Sequence, residues 1–157
     1  MPLGGKACIV TGGAGALGSA VAKSLIGAGA KVMALDHAQL PAEQPGIGNV
    51  DLSDPAKALA AVDKAAAEMG GLYALINVAG TFRWETLNDG SIATWDLLYS
   101  VNLKTAVSAS KAALPHLLKK KSGRIVNIGA GAAAKAAKGM GAYAASKAGV
   151  ARLTEFS

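Results

Sequence analysis

Tyr143 and Lys147 stand four residues apart in the run Tyr-Ala-Ala-Ser-Lys. On a helix that spacing puts both side chains on one face. A phenol with an ordinary pKa of about 10 is a poor acid or base near neutral pH. A neighbouring ammonium stabilises the phenolate and brings the pair into range for proton exchange with an alcohol or carbonyl oxygen. Far upstream, Thr11-Gly-Gly-Ala-Gly-Ala-Leu-Gly18 carries Gly13, Gly15 and Gly18 in GxGxxG spacing. An apolar run that reads as a strand precedes it and an amphipathic run that reads as a helix follows, which is the context a dinucleotide loop needs. Glycine there permits the tight turn and lets a phosphate reach bare N–H groups at a helix N-terminus. Asp36 closes the next apolar run, 18 residues beyond Gly18. A carboxylate at that point accepts from both ribose hydroxyls and repels a 2′-phosphate, so NAD(H) is favoured over NADP(H); its neighbour is His37, not Arg. Each motif also has a plain structural reading: a surface helix, a turn packing helix on sheet, an Asp capping a strand end.

These residues need a scaffold that alternates strand and helix. Ala7–Val10 reads as a strand, and Ala16–Ala28 as a helix with Leu17, Val21, Leu25 and Ala28 on its buried face. Lys31–Leu35 is a second strand and Gly48–Asp51 a short third. Asp54-Pro55 opens a helix as N-cap and first-turn proline, with Leu59, Val62, Ala66 and Met69 as its buried stripe and Gly70-Gly71 as its stop. Leu72–Val78 is a fourth strand. A long helix spans about Ile92 to Lys120, with Pro115 marking a kink or irregularity. Gly123–Ile128 is the fifth strand, and a last helix starts near Tyr143. This order predicts an α/β fold, a Rossmann-like doubly wound parallel sheet of five strands in a three-layer α/β/α arrangement, as one dinucleotide-binding domain over residues 1–157. The strands are continuous apolar runs, as a sheet covered on both faces requires.

The 157 residues include 35 Ala and 20 Gly, with 52% hydrophobic and 4% aromatic side chains. That much apolar surface excludes disorder, and the glycines have no three-residue period. No charge-free apolar run of 18 residues predicts a membrane span. A single cysteine, Cys8, no CxxC and no metal-ligand spacing point to a reducing cytoplasm without a metal site. No signal peptide is expected from the first residues. The net charge of +6 suits acidic ligands. Without an aromatic platform it is weak support for nucleic acid, and Lys119–Lys121 reads as a solvated helix end.

With those motifs in order, the sequence resembles the short-chain dehydrogenase/reductase family along essentially the whole chain. Thr11-Gly12 with Gly15 and Gly18 matches its cofactor loop. Asp51-Leu52 resembles the segment beside the adenine ring, and Asn77-Val-Ala-Gly80 resembles the NNAG motif. Asn102 in Ser-Val-Asn-Leu matches the catalytic asparagine, and Tyr143 with Lys147 the catalytic pair. The resemblance implies cofactor contacts from Thr11, Gly12, Gly13, Gly15, Leu17, Gly18, Asp36, Asp51, Leu52, Asn77, Ala79, Gly80, Tyr143 and Lys147. It implies that Tyr143 exchanges the proton of a secondary alcohol or ketone, that Lys147 holds the nicotinamide ribose, and that Asn102 holds a water in a relay to Lys147. It also implies a homo-dimer or homo-tetramer built through the helices at 101–120 and 143–156.

Three departures qualify that picture. The family's serine 13 residues before the tyrosine is Ala130 here, and no Ser or Thr lies between Asn127 and Ala142. Thr81, Arg83 or Trp84 could supply the missing donor. Ala16 stands where the second glycine of the usual TGxxxGxG spacing would fall, and Val78 replaces the second asparagine of NNAG. Family members run to roughly 250 residues, so the chain reads as lacking the last strands and the substrate lid. The expected function is hydride transfer between a nicotinamide and a secondary alcohol or ketone. The alternative is a non-catalytic dinucleotide-binding or regulatory protein on the same fold, which Ala130 favours.

Overall fold

Five short apolar runs become strands in the computed structural model, which describes residues 1–156. They are β1 (Ala7–Thr11), β2 (Lys31–Leu35), β3 (Gly46–Ile47), β4 (Ala74–Asn77) and β5 (Arg124–Asn127). They form one sheet in the order β3-β2-β1-β4-β5, every pair parallel. Parallel neighbours need crossovers; helices supply them except between β2 and β3, which residues 36–45 join without a helix. The helices are α1 (Ala16–Gly27), α2 (Pro55–Met69), α3 (Ile92–Leu98), α4 (Thr105–Lys120) and α5 (Gly141–Phe156).

Alternation along the strands divides the core into two layers. Ile9, Met33, Leu35 and Leu75 face α2 and α4. Cys8, Val10, Val32 and Ile76 face Val21, Ala22 and Leu25 of α1. Complete burial of a side chain such as Leu75 or Val62 stabilises by about 1.5–3 kcal/mol. Where α2 meets α4, the contact is largely alanine: Ala58, Ala61, Ala65 and Ala66 against Ala109, Ala112 and Ala113. The alanine-rich composition is therefore spent on close helix packing.

α2 starts as expected. Asp54 Oδ1 accepts from Ala56 N at 3.0 Å and Lys57 N at 3.3 Å, Pro55 fills the first turn, and Gly70 ends the helix at φ 77°. Val62, Ala66 and Met69 are buried and Val21 and Leu25 pack on the core as expected, but one leucine of each predicted face is not. Leu59 is exposed because α2 buries Ala58 and Ala61 beside Val62, and Leu17 is exposed because α1 buries Gly18 and Ala22. Small residues share the buried faces, so the apolar period leaves the edges of each face undefined.

Two element boundaries also differ. The third strand is Gly46–Ile47 rather than Gly48–Asp51, because Asn49 adopts φ 57° and cannot continue an extended strand. The long helix does not yield at Pro115, which α4 accommodates. It changes instead at Tyr99–Lys104, a π-helical turn between α3 and α4 in which Thr105 N–H reaches back to Ser100 O. Among the described residues no helix is long and apolar enough to cross a membrane.

Candidate active site

The sheet order reverses between β1 and β4, and a cleft of about 840 Å³ opens beyond their C-terminal ends. Thr11, Asn77 and Asn127 are in register there. Thr11 Oγ1 accepts from Val78 N at 3.1 Å and Ala79 N at 3.2 Å, tying the chain after β4 to the end of β1.

The loop after β1 is shaped by its glycines. Gly12 has φ 69°, and a Cβ there would lie 2.8 Å from the Ala79 backbone. A Cβ on Gly18 would strike the Gly12 carbonyl oxygen, so this glycine lets α1 sit directly on the loop. Gly13 faces away from the cleft, toward Ala34, and its carbonyl accepts from Gln44 Nε2 at 2.7 Å. Gly15 caps α1 without a side chain, and a Cβ on it would meet nothing closer than 3.4 Å. The first N–H groups of a helix have no intrahelical acceptor. Those of Ala16, Leu17 and Gly18 border the cleft, a donor set suited to a pyrophosphate. Ala16 is thus accommodated at the helix start.

Asp36 is buried at the end of β2 and lines the same cleft. Its Oδ2 accepts from Ala14 N at 2.8 Å and its Oδ1 from Ala38 N at 2.9 Å, with His37 Nδ1 at 3.2 Å. The carboxylate therefore braces the glycine loop while bordering the cleft. Asp51 and Leu52 line the neighbouring wall. Hydrogen bonds from the Ser53 hydroxyl and then the Ser53 N–H hold the Asp51 carboxyl below its ordinary pKa.

At the other end, α5 brings Tyr143 and Lys147 to the cleft together with Ala79 and Gly80. Lys147 is buried, and its Nζ donates to Ile128 O at 3.1 Å. Burial lowers its pKa from the ordinary lysine value. The Tyr143 ring meets Phe82 edge-on at 4.9 Å between centroids.

Asn102 lies outside the cleft lining, fully buried in the π-helical turn. Its Oδ1 accepts from Thr81 N at 2.7 Å, and its Nδ2 donates to Thr81 O and to Ser146 Oγ, each at 3.0 Å. Both amide protons are engaged, so only an Oδ1 lone pair is left for a water. Ser146 Oγ in turn donates to Tyr143 O at 2.8 Å. Asn77 also lies behind the cleft. Its Nδ2 donates to Asn127 Oδ1 at 2.8 Å and to Ser110 Oγ at 3.3 Å, while its buried Oδ1 has no partner among the described residues.

Eleven of the fourteen residues expected at the cofactor therefore line one cleft, and Thr11, Gly13 and Asn77 stand behind it. Ala130 does not line the cleft; of its three suggested substitutes, Thr81 does, Arg83 borders a neighbouring cavity and Trp84 packs on Gly139. Sequence reasoning missed Phe82, Ser146, Gln44 and the Ile128 carbonyl. Ser146 had a faint signal as the neighbour of Lys147, and the others had none.

A family model described as short chain dehydrogenase matches residues 6–156. The chain is 34% identical over 157 residues to 2-(S)-hydroxypropyl-CoM dehydrogenase 3 of Xanthobacter autotrophicus, a match covering 92% of this chain and 61% of that protein. It superposes on the ligand-free aldohexose dehydrogenase of Thermoplasma acidophilum with a TM-score of 0.91 at 31% identity, covering 98% of this chain and 60% of the other. A short chain dehydrogenase from Burkholderia cenocepacia in complex with NADP gives a TM-score of 0.86 at 34% identity, covering 99% of this chain and 68% of the other. The chain spans less than two thirds of the length of curated relatives such as the Xanthobacter dehydrogenase.

Proposed function

Because this chain belongs to the short-chain dehydrogenase family, we propose that it is an NAD(H)-dependent oxidoreductase acting on a secondary alcohol or ketone, with Tyr143 as its acid and base. The observation that carries the reading is the composition of one cleft: Asp36 and the open start of α1 at one end, Tyr143 and Lys147 at the other. A nicotinamide dinucleotide, when bound, supplies or takes up the hydride. The chain's own groups do the rest. The first N–H groups of α1 hold the pyrophosphate, and Asp36 accepts from the adenosine ribose. Lys147 holds the nicotinamide ribose. Tyr143 gives its proton to the substrate oxygen in reduction and takes it back in oxidation. Asn102 contributes through Thr81 and Ser146.

Calorimetric titration of the full chain with NADH and NADPH tests the cofactor reading. NADH is expected to bind about tenfold more tightly, a difference of roughly 1.4 kcal/mol, and Asp36→Ala to erase that preference. Tighter NADPH binding by the unaltered chain would overturn it. Tyr143→Phe should leave NADH binding intact and lower turnover by at least about 100-fold.

Ala130 supports a second reading, a dinucleotide-binding protein without chemistry, which predicts NADH binding and no turnover for Tyr143→Phe to remove. Self-association through the helices at 101–120 and 143–156 belongs to the first reading. The exposed Leu114 and Leu118 of α4 support it, and sedimentation as a monomer in analytical ultracentrifugation at micromolar concentration would count against it.

A further inference from the structure

Four hydroxyl-bearing side chains line the cleft: Ser53, Thr81, Thr105 and Tyr143. Ser53 Oγ donates to Asp51 Oδ1 at 2.5 Å, at the Asp36 end. Thr105 Oγ1 donates to Val101 O at 2.6 Å, within its own helix. Tyr143 has the proton-transfer role given above. Thr81 is the fourth, and its surroundings are unlike those of the other three.

Both backbone groups of Thr81 are clamped by a single side chain. Its N–H donates to Asn102 Oδ1 at 2.7 Å, and its carbonyl accepts from Asn102 Nδ2 at 3.0 Å. Asn102 is buried and bonded in turn to Ser146, which sits between Tyr143 and Lys147 on α5. Thr81 is therefore placed relative to α5 through two side-chain links. The next residue, Phe82, sets its ring against Tyr143. The Thr81 hydroxyl oxygen accepts from Arg83 Nη1 at 3.0 Å, and the same nitrogen donates to Phe82 O at 2.9 Å. A hydroxyl that accepts from a guanidinium still has its own proton to give, and the positive donor polarises it toward giving. Among the described residues no acceptor takes that proton.

We propose that the Thr81 hydroxyl donates a hydrogen bond to the reacting oxygen of the substrate, alongside Tyr143, with Asn102 and Arg83 as the residues that position it. The proposal rests on the oxidoreductase reading. Thr81 transfers no proton. Its hydrogen bond strengthens as negative charge builds on the oxygen during reduction, so it acts on kcat more than on KM.

The test compares Thr81→Val with Thr81→Ser in the full chain, using NADH with ethyl acetoacetate and with cyclohexanone as carbonyl probes. Circular dichroism and NADH affinity serve as controls. Thr81→Val is expected to lower kcat by about 100-fold with NADH affinity unchanged, since one donor to a developing oxyanion contributes that much. Thr81→Ser is expected to stay within about threefold of the unaltered chain. Unchanged kcat in Thr81→Val, or equal losses in both variants, would overturn the role of the hydroxyl and leave the oxidoreductase reading standing. An unaltered chain that binds NADH and reduces neither ketone would overturn both together.

Discussion

At the α1 end of the cleft, backbone packs on backbone: Gly18 lies against the Gly12 carbonyl, and Gly12 against Ala79. At the α5 end, side chains make the connections: Asn102 to Thr81 and Ser146, Lys147 to Ile128. The first end depends on the lack of atoms at two positions and on a short stretch of chain. The second depends on polar groups brought together from residues 81, 102, 128, 146 and 147. A glycine loop is built by exclusion, so it fails when volume is added. A hydrogen-bonded cluster is built by pairing, so it fails when a partner is removed.

Substitution at each end should separate the two modes. The largest effect belongs to Gly18→Ala, where a methyl meets the Gly12 carbonyl. It is expected to destabilise by about 3 kcal/mol and to abolish NADH binding, whereas Gly15→Ala, with room for a methyl, should keep the fold. Urea unfolding of the two variants decides this, and equal losses would remove the distinction. Next comes Asn102→Ala, which strands the Thr81 N–H and carbonyl. It is expected to cost about 2 kcal/mol while leaving NADH affinity near that of the unaltered chain. A matching collapse of NADH affinity would show that the two ends are not independent.

The smallest effect is one of pH. Burial lowers the Lys147 pKa in the folded chain, so between that lowered value and the ordinary lysine value the unfolded chain holds more protons. Stability from this group therefore rises with pH across that window, and the buried ammonium is most costly below it. Relative to the unaltered chain, Lys147→Met should look most favourable at neutral pH and lose that advantage toward pH 10. Unfolding free energies that run parallel over the range would contradict this.

The same contrast governs what could be read from the sequence. The loop, Asp36 and the Asp54 cap announce themselves because each is local: a glycine spacing, a strand end, a capping residue beside a proline. Tyr143 and Lys147 are also local, one helical turn apart. The groups that hold them are not. Nothing about Asn102 in isolation says that it clamps Thr81, because the partners meet only when β4 and the π-helical turn are side by side. That turn itself left no mark. The visible irregularity was Pro115, which lies exposed in a continuous helix. Leu17 and Leu59 lie off the buried faces because Gly18 and Ala22 of α1 and Ala58 and Ala61 of α2 share those faces, leaving their edges undefined in the sequence. The third strand moved because Asn49, in the left-handed region, ends the extended run early.

The order β3-β2-β1-β4-β5 also sets a timetable. β2 can dock on one side of β1 soon after the intervening helix is made. The other side must wait for Ala74–Asn77, more than sixty residues after β1 ends. During that interval a strand whose every residue is buried in the finished fold, Ala-Cys-Ile-Val-Thr, has one edge open. An open apolar edge is a template for pairing with another chain. On the ribosome, the central strand of this sheet is thus the place where a newborn chain is most exposed to a neighbour's.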